Sequence, residues 1–96
     1  MEDSIIYIGN RPVTGYAMTA LSMFQNTDEI TLKARGRAIS HAVDVAEILR
    51  RRFMKDGVKI KEIKTDTETV TTREGRESNI SSIEIIIVKI ESPNSE

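Results

Sequence analysis

Ninety-six residues make one domain, and with 39% apolar and 4% aromatic residues the core is small enough that burial against a second copy would help to stabilise it. No cysteine occurs, which excludes disulfides, thiolate metal sites and a cysteine nucleophile. A formal net charge of −1 excludes a uniformly basic coat, so any polyanion would have to meet a local patch.

Residues 4–8 form a short β-rich run that stops at Gly9-Asn10-Arg11-Pro12. Proline is favoured at the first helical position, so a helix is expected to start at Pro12. Val13, Tyr16, Ala17, Ala20, Leu21 and Phe24 then recur at helical spacing, and the helix should end near Asn26-Thr27-Asp28. Ile30, Leu32 and Ala34 alternate with Thr31, Lys33 and Arg35, the period of a half-buried strand. A second helix is expected from about residue 37 to 54. Its apolar residues, Ala38 and Ile39 through Leu49 and Phe53, cover more than half its circumference, interrupted by His41 and Arg52. One sheet needs a stripe of only about 100°, so the surplus implies a contact beyond the chain's own sheet, most economically with a second subunit.

After Asp56-Gly57, Val58 and Ile60 alternate with Lys59 and Lys61, and Ile63 then breaks the phase. A slip of one residue predicts a bulge near Lys61-Glu62. Thr65, Thr67 and Thr69 continue the strand, and Glu74-Gly75 marks a hairpin tip. The return strand, residues 80–90, is apolar on both faces at residues 85–88 and so belongs in the middle of the sheet. The predicted order is β-α-β-α-β-β, an α/β two-layer sandwich: a mixed four-stranded sheet with both helices on one face. Two right-handed crossovers would make the first three strands parallel and the fourth antiparallel. Residues 1–91 are read as the domain and 92–96 as a polar tail. Met1-Glu2-Asp3-Ser4 lacks the basic and apolar segments of a secretory leader, and the run 85–88 is too short to cross a bilayer; a cytoplasmic location without a membrane partner is expected.

The charge is unevenly placed: net −3 in residues 1–29, +6 in 30–64 and −4 in 65–96. Salt screens distant charges within about 10 Å, so a polyanion responds to the local patch. If the first three strands are parallel, their C-terminal ends share one edge. Those ends carry Asn10-Arg11, Arg35-Gly36-Arg37 with Lys33 one turn of the pleat before, and the hairpin Arg73-Glu74-Gly75-Arg76. Two of the loops open helices, whose N-termini suit phosphates. Arginines grip phosphate oxygens in pairs, and an arginine-tipped arm suits a minor groove. Plainer readings stand beside these. Gly36 can be only a helix cap, Arg73 and Arg76 can pair with Glu74 and Glu77, and Arg50-Arg51-Arg52 can simply answer the helix dipole.

Catalytic patterns are missing. The single histidine, His41, sits mid-helix, where packing explains it; Asp44 and Glu47 precede arginines that can pair with them. There is no nucleophile elbow, P-loop or metal-ligand spacing, so neither an enzyme nor a cofactor is expected.

Lys33-Ala34-Arg35-Gly36-Arg37-Ala38-Ile39-Ser40 followed by Ala42-Val43-Asp44 resembles the signature of the Alba family of archaeal chromatin proteins. Ile8-Gly9-Asn10-Arg11-Pro12-Val13, Ile60-Lys61-Glu62-Ile63 and Ser82-Ile83-Glu84-Ile85 extend the resemblance over residues 4–90. It implies the fold of the C-terminal domain of the third bacterial initiation factor. It also implies a chromosome-associated homodimer that coats double-stranded DNA with little sequence preference and binds RNA. By the same resemblance Arg11, Arg35 and Arg37 lie on the DNA-facing body and Arg73 and Arg76 on the arms. Phe53, flanked by Arg50, Arg51 and Arg52, would join neighbouring dimers along DNA, though a plain core residue is the alternative. Many relatives carry two lysines after the first strand, the first a target of acetylation. Asn10-Arg11 stands there instead, so that route of regulation is in doubt and weaker binding is expected. The rival readings are an RNA chaperone or ribonucleoprotein subunit, and a protein-interaction module built on the second helix.

Overall fold

The computed structural model describes residues 4–90, so the polar tail, residues 92–96, lies outside the described residues. The elements run β1 (Ile5–Tyr7), α1 (Val13–Met23), β2 (Glu29–Arg35), α2 (Ile39–Ile48), β3 (Val58–Thr71) and β4 (Glu77–Lys89). The expected β-α-β-α-β-β order is therefore the observed one. The four strands form one mixed sheet in the order β1-β2-β4-β3. β1 and β2 pair in parallel, while β4 runs antiparallel to both neighbours. The first three strands thus share a direction, and β4 sits inside the sheet, as its two apolar faces demand.

The alternation in β2 sets the layers. Ile30, Leu32 and Ala34 are buried and lie opposite Ile87, Ile85 and Ile83 of β4, which are buried too. Ala17 and Ala20 of α1, Phe24 just beyond it, and Ala42, Val45, Ala46 and Leu49 close the same core from one side. Both helices therefore cover one face and leave the other open. Small alanines let the helices lie close to the sheet, while Phe24, Leu49 and the isoleucines fill the layer. Burying each of these larger side chains contributes about 1.5–3 kcal/mol.

Two local expectations are corrected. Pro12 caps α1 without being its first helical residue; α1 starts at Val13. Proline's fixed φ suits either place, and its missing N–H costs nothing at both. The second helix is not continuous from 37 to 54. It opens with a 3₁₀ turn (Gly36–Ala38) and closes with a π turn (Leu49–Phe53), in which the Met54 N–H reaches back to the Leu49 carbonyl at 2.7 Å. Gly36 has φ of +61°, a left-handed conformation that costs an L side chain about 1–2 kcal/mol, so this glycine does more than cap. Phe53 is partly buried against the core.

The bulge appears where the phase slip placed it, between Ile60 and Glu62. Beyond Asp66 opposite Ser82, five more pairs carry β3 and β4 clear of the helices to a tight turn. There the Gly75 N–H reaches the Thr72 carbonyl at 2.9 Å, and Gly75 takes φ of +85°. This is a three-residue hairpin loop with glycine in the left-handed position. The result is an arm that stretches the molecule to 59 Å by 23 Å by 20 Å.

Candidate nucleic-acid interface

At the C-terminal ends of β1 and β2, the sheet edge opens into a groove of about 760 Å³. Asn10, Lys33, Arg35 and Arg37 line it together. The loop after β1 and the turn after β2 thus converge as parallel pairing requires, and Arg11 lies exposed beside them. The third loop does not join them. Arg73 and Arg76 sit at the arm's tip, about 15–20 Å farther out at roughly 3.3 Å per residue. They point the same way along the sheet but form a separate contact. Among the described residues no ion pair holds either arginine, so the pairing with Glu74 and Glu77, the plainer reading, is not made.

The loop that carries Asn10 and Arg11 is fixed from two helices. The Tyr16 hydroxyl of α1 accepts the Gly9 N–H at 2.9 Å and the Arg11 N–H at 3.4 Å. His41 of α2 donates from Nδ1 to the Gly9 carbonyl at 3.0 Å. Both backbone groups of Gly9 are engaged, and Arg11 leaves a clamped backbone. His41 is therefore a positioning residue for this loop, a part that its mid-helix place in the sequence does not reveal.

The groove is less basic than its arginines suggest. Glu68 of β3 meets Arg35 Nη1 at 2.6 Å, and Glu84 of β4 lies 3.5 Å from Lys33 Nζ. Three cations, Lys33, Arg35 and Arg37, therefore share the groove with two carboxylates. Only Arg37 among them is free of a carboxylate among the described residues. The register explains both pairs: Lys33 lies directly opposite Glu84, and the bulge shifts β3 so that Glu68 lines the same groove as Arg35. Alternation of threonines with acids along β3 is the one sign of Glu68 in the sequence.

At the other end of α2 the three arginines divide. Glu47 accepts Arg51 Nε at 2.7 Å and Arg50 Nε at 2.9 Å, as their spacing suggested. Hydrogen bonds from Arg51 and then Arg50 hold the Glu47 carboxyl below its usual range. Arg52 remains exposed beside the partly buried Phe53. Among the described residues no group of three histidine or carboxylate side chains is placed to hold a metal ion, and no helix is long and apolar enough to cross a membrane.

One apolar region has no cover. Val43 on α2 is 42% exposed and Ile63 on β3 is 52% exposed. Ile63 lies opposite Ile85, so it belongs to the helix-bearing face, beyond the reach of the helices. A second groove is lined by Ile39 and Ile83 together with Thr65, Asp66, Thr67 and Ser81.

Comparison with known proteins gives a consistent result. The Alba family model matches residues 4–67. The DNA/RNA-binding protein Alba of Methanocella arvoryzae is 47% identical over 87 residues, covering 90% of this chain and 90% of its own. The structure of Alba from Thermoplasma volcanium superposes with a TM-score of 0.81 at 46% identity, over 88% of this chain and 98% of that one. ALBA1 from Trypanosoma brucei shares the fold, with a TM-score of 0.73 at 22% identity over 95% and 73% of the two chains. The signature around Lys33 to Asp44, the sheet order and the arm agree with one another, and the chain belongs to the Alba family.

Proposed function

We propose that this chain is an architectural, sequence-nonspecific nucleic-acid-binding protein that acts as a homodimer on double-stranded DNA, on the chromosome in the cytoplasm, and also binds RNA. The observation that carries the reading is the meeting of Asn10, Lys33, Arg35 and Arg37 in one groove, at the root of an arm tipped by Arg73 and Arg76. A basic groove backed by an arm suits a duplex: the body meets phosphates and the arm reaches round toward a minor groove. Phosphate contacts carry no base information, so sequence preference is low. The name DNA/RNA-binding protein borne by the 47% identical relative supports both nucleic acids.

The homodimer is supported by the uncovered apolar surface of Val43, Ile39 and Ile63. A second copy would bury it and bring two grooves and two arms to one duplex. Arg52 and the uncovered part of Phe53 are the surface offered to a neighbouring dimer.

The test is a salt titration of binding to a random-sequence duplex, with wild type beside the Arg35→Ala/Arg37→Ala variant. If a dimer neutralises roughly 6–10 phosphates, affinity falls about 10³–10⁵-fold between 50 and 200 mM salt, and the slope is shallower in the variant. Identical slopes for both proteins would move the site off this edge.

A further inference from the structure

Tyr7 is 70% exposed, although its neighbours Ile6 and Ile8 are buried. By the alternation of β1 its ring stands on the open face of the sheet, opposite the helices and away from the uncovered patch of Val43 and Ile63. In the parallel register Tyr7 lies beside Lys33, and both line the groove that holds Asn10, Arg35 and Arg37. Ser82 and the Glu84 carboxylate complete its floor with hydrogen-bonding groups. An aromatic ring, a row of cations and polar groups thus share one concavity. Its volume, about 760 Å³, falls in the range of roughly 300–1,000 Å³ typical of ligand sites.

A duplex offers this ring no free base to stack on. Its bases are stacked on one another, and only phosphates and groove edges face outward. A single strand has bases free to leave the stack, and base–aromatic stacking beside a basic track is how proteins hold one without regard to sequence. We infer that the open-face groove is a second binding mode, for single-stranded nucleic acid, in which an unstacked base lies on Tyr7 while Lys33, Arg35 and Arg37 hold the flanking phosphates. The inference deepens the proposed function, on which it rests for the phosphate contacts, and adds a ligand form that the duplex reading does not require. Glu68 and Glu84 oppose phosphates here. The strand gains Lys33 and Arg35 only by displacing them, so the ring carries a larger share of the affinity than it would in a wholly basic groove.

The chain has two tyrosines and no tryptophan, so the difference in emission between wild type and Tyr7→Phe reports on the Tyr7 ring. Wild type, Tyr7→Ala and Tyr7→Phe are titrated with labelled 12-mers of oligo(U) and oligo(dT), and with a random-sequence duplex. Because Tyr7 is exposed, neither substitution touches the core; matching thermal melts check this. The expected result is that oligonucleotide binding quenches wild-type emission. Tyr7→Ala weakens oligonucleotide binding about 5- to 100-fold, and by much more than it weakens duplex binding. Tyr7→Phe keeps the affinity, since its ring still stacks, and its emission is quenched less than that of wild type. Whether oligo(U) or oligo(dT) binds more tightly identifies RNA or DNA as the strand. Wild type that binds duplex but neither oligonucleotide would overturn this inference and leave the proposed function intact. So would a Tyr7→Ala variant that binds oligonucleotide normally, or one that loses duplex and oligonucleotide equally. A protein that binds none of the three overturns both readings.

Discussion

Glu68 holds Arg35 at 2.6 Å, and both side chains are open to solvent. A phosphate approaching the groove therefore competes with a carboxylate already in place. Exposed pairs of this kind are worth about 0.2–1 kcal/mol, enough to oppose binding without preventing it. Glu68→Gln keeps the shape of the side chain and removes the charge. It should tighten binding of a random-sequence duplex by about 2- to 5-fold per site at low salt, an effect opposite in sign to that of Arg35→Ala. Unchanged affinity in a fluorescence-anisotropy titration would show that Arg35 does not meet the phosphates. Arg35 and Arg37 were legible as candidates because an Arg-Gly-Arg turn between a strand and a helix has few other uses. Glu68 was not, because it lies 33 residues away and reaches Arg35 only through a register set by a bulge. The clamps from Tyr16 and His41 were hidden for the same reason: each bonds a backbone group across the fold, and no spacing rule marks that.

The end of α2 shows what a cluster of charges does when no ligand is involved. Glu47 sits between Arg50 and Arg51, and its carboxyl titrates below its usual range because both guanidinium groups donate to it, Arg51 most strongly. A carboxylate with a lowered folded value stabilises the fold fully above the ordinary carboxylate range. That stability is lost as pH falls through the range to the lowered value. Glu47→Gln should therefore lower the melting temperature modestly at neutral pH and flatten the acid limb of a plot of melting temperature against pH. With the side chain 36% exposed, the loss stays below about 1 kcal/mol, or less than about 8 °C for a domain this size. A wild-type acid limb that the substitution leaves unchanged would assign the acid sensitivity elsewhere. Most of the elements were readable because each repeats a period: the stripe of α1, the alternation of β2, the phase slip at Lys61-Glu62 and the two apolar faces of β4. The π turn was not. Its widened hydrogen bond from Met54 to Leu49 leaves the apolar residues at spacings that an α-helix also allows.

For the whole molecule, the main consequence is association. Val43 on α2 and Ile63 on the helix-bearing face of β3 are exposed apolar residues, and neither belongs to the buried core. Val43→Asp and Ile63→Asp should leave the fold's circular dichroism unchanged and halve the mass measured by light scattering. They should also lower the salt slope on DNA to about half, as each body would then bring one set of cations. A dimer that survives both changes would have its contact on another face. The surplus apolar arc of the second helix was the sequence's reason to expect such a contact, but that Ile63 of β3 is exposed depends on where β3 emerges from under the helices, and only the three-dimensional path shows that.

The arm itself obeys a counting rule. Its strands pair residue by residue from Thr67 opposite Ser81 to Thr71 opposite Glu77. Side chains alternate between faces at every step, and one pair adds about 3.3 Å. An arm longer by a single pair would carry its tip arginines farther out and turn the arm's end over, presenting Arg73 and Arg76 to the opposite side. Two pairs would restore their aim at about 7 Å greater reach. Changes in reach that preserve grip therefore come in even steps, so arm lengths among proteins built this way should favour one parity.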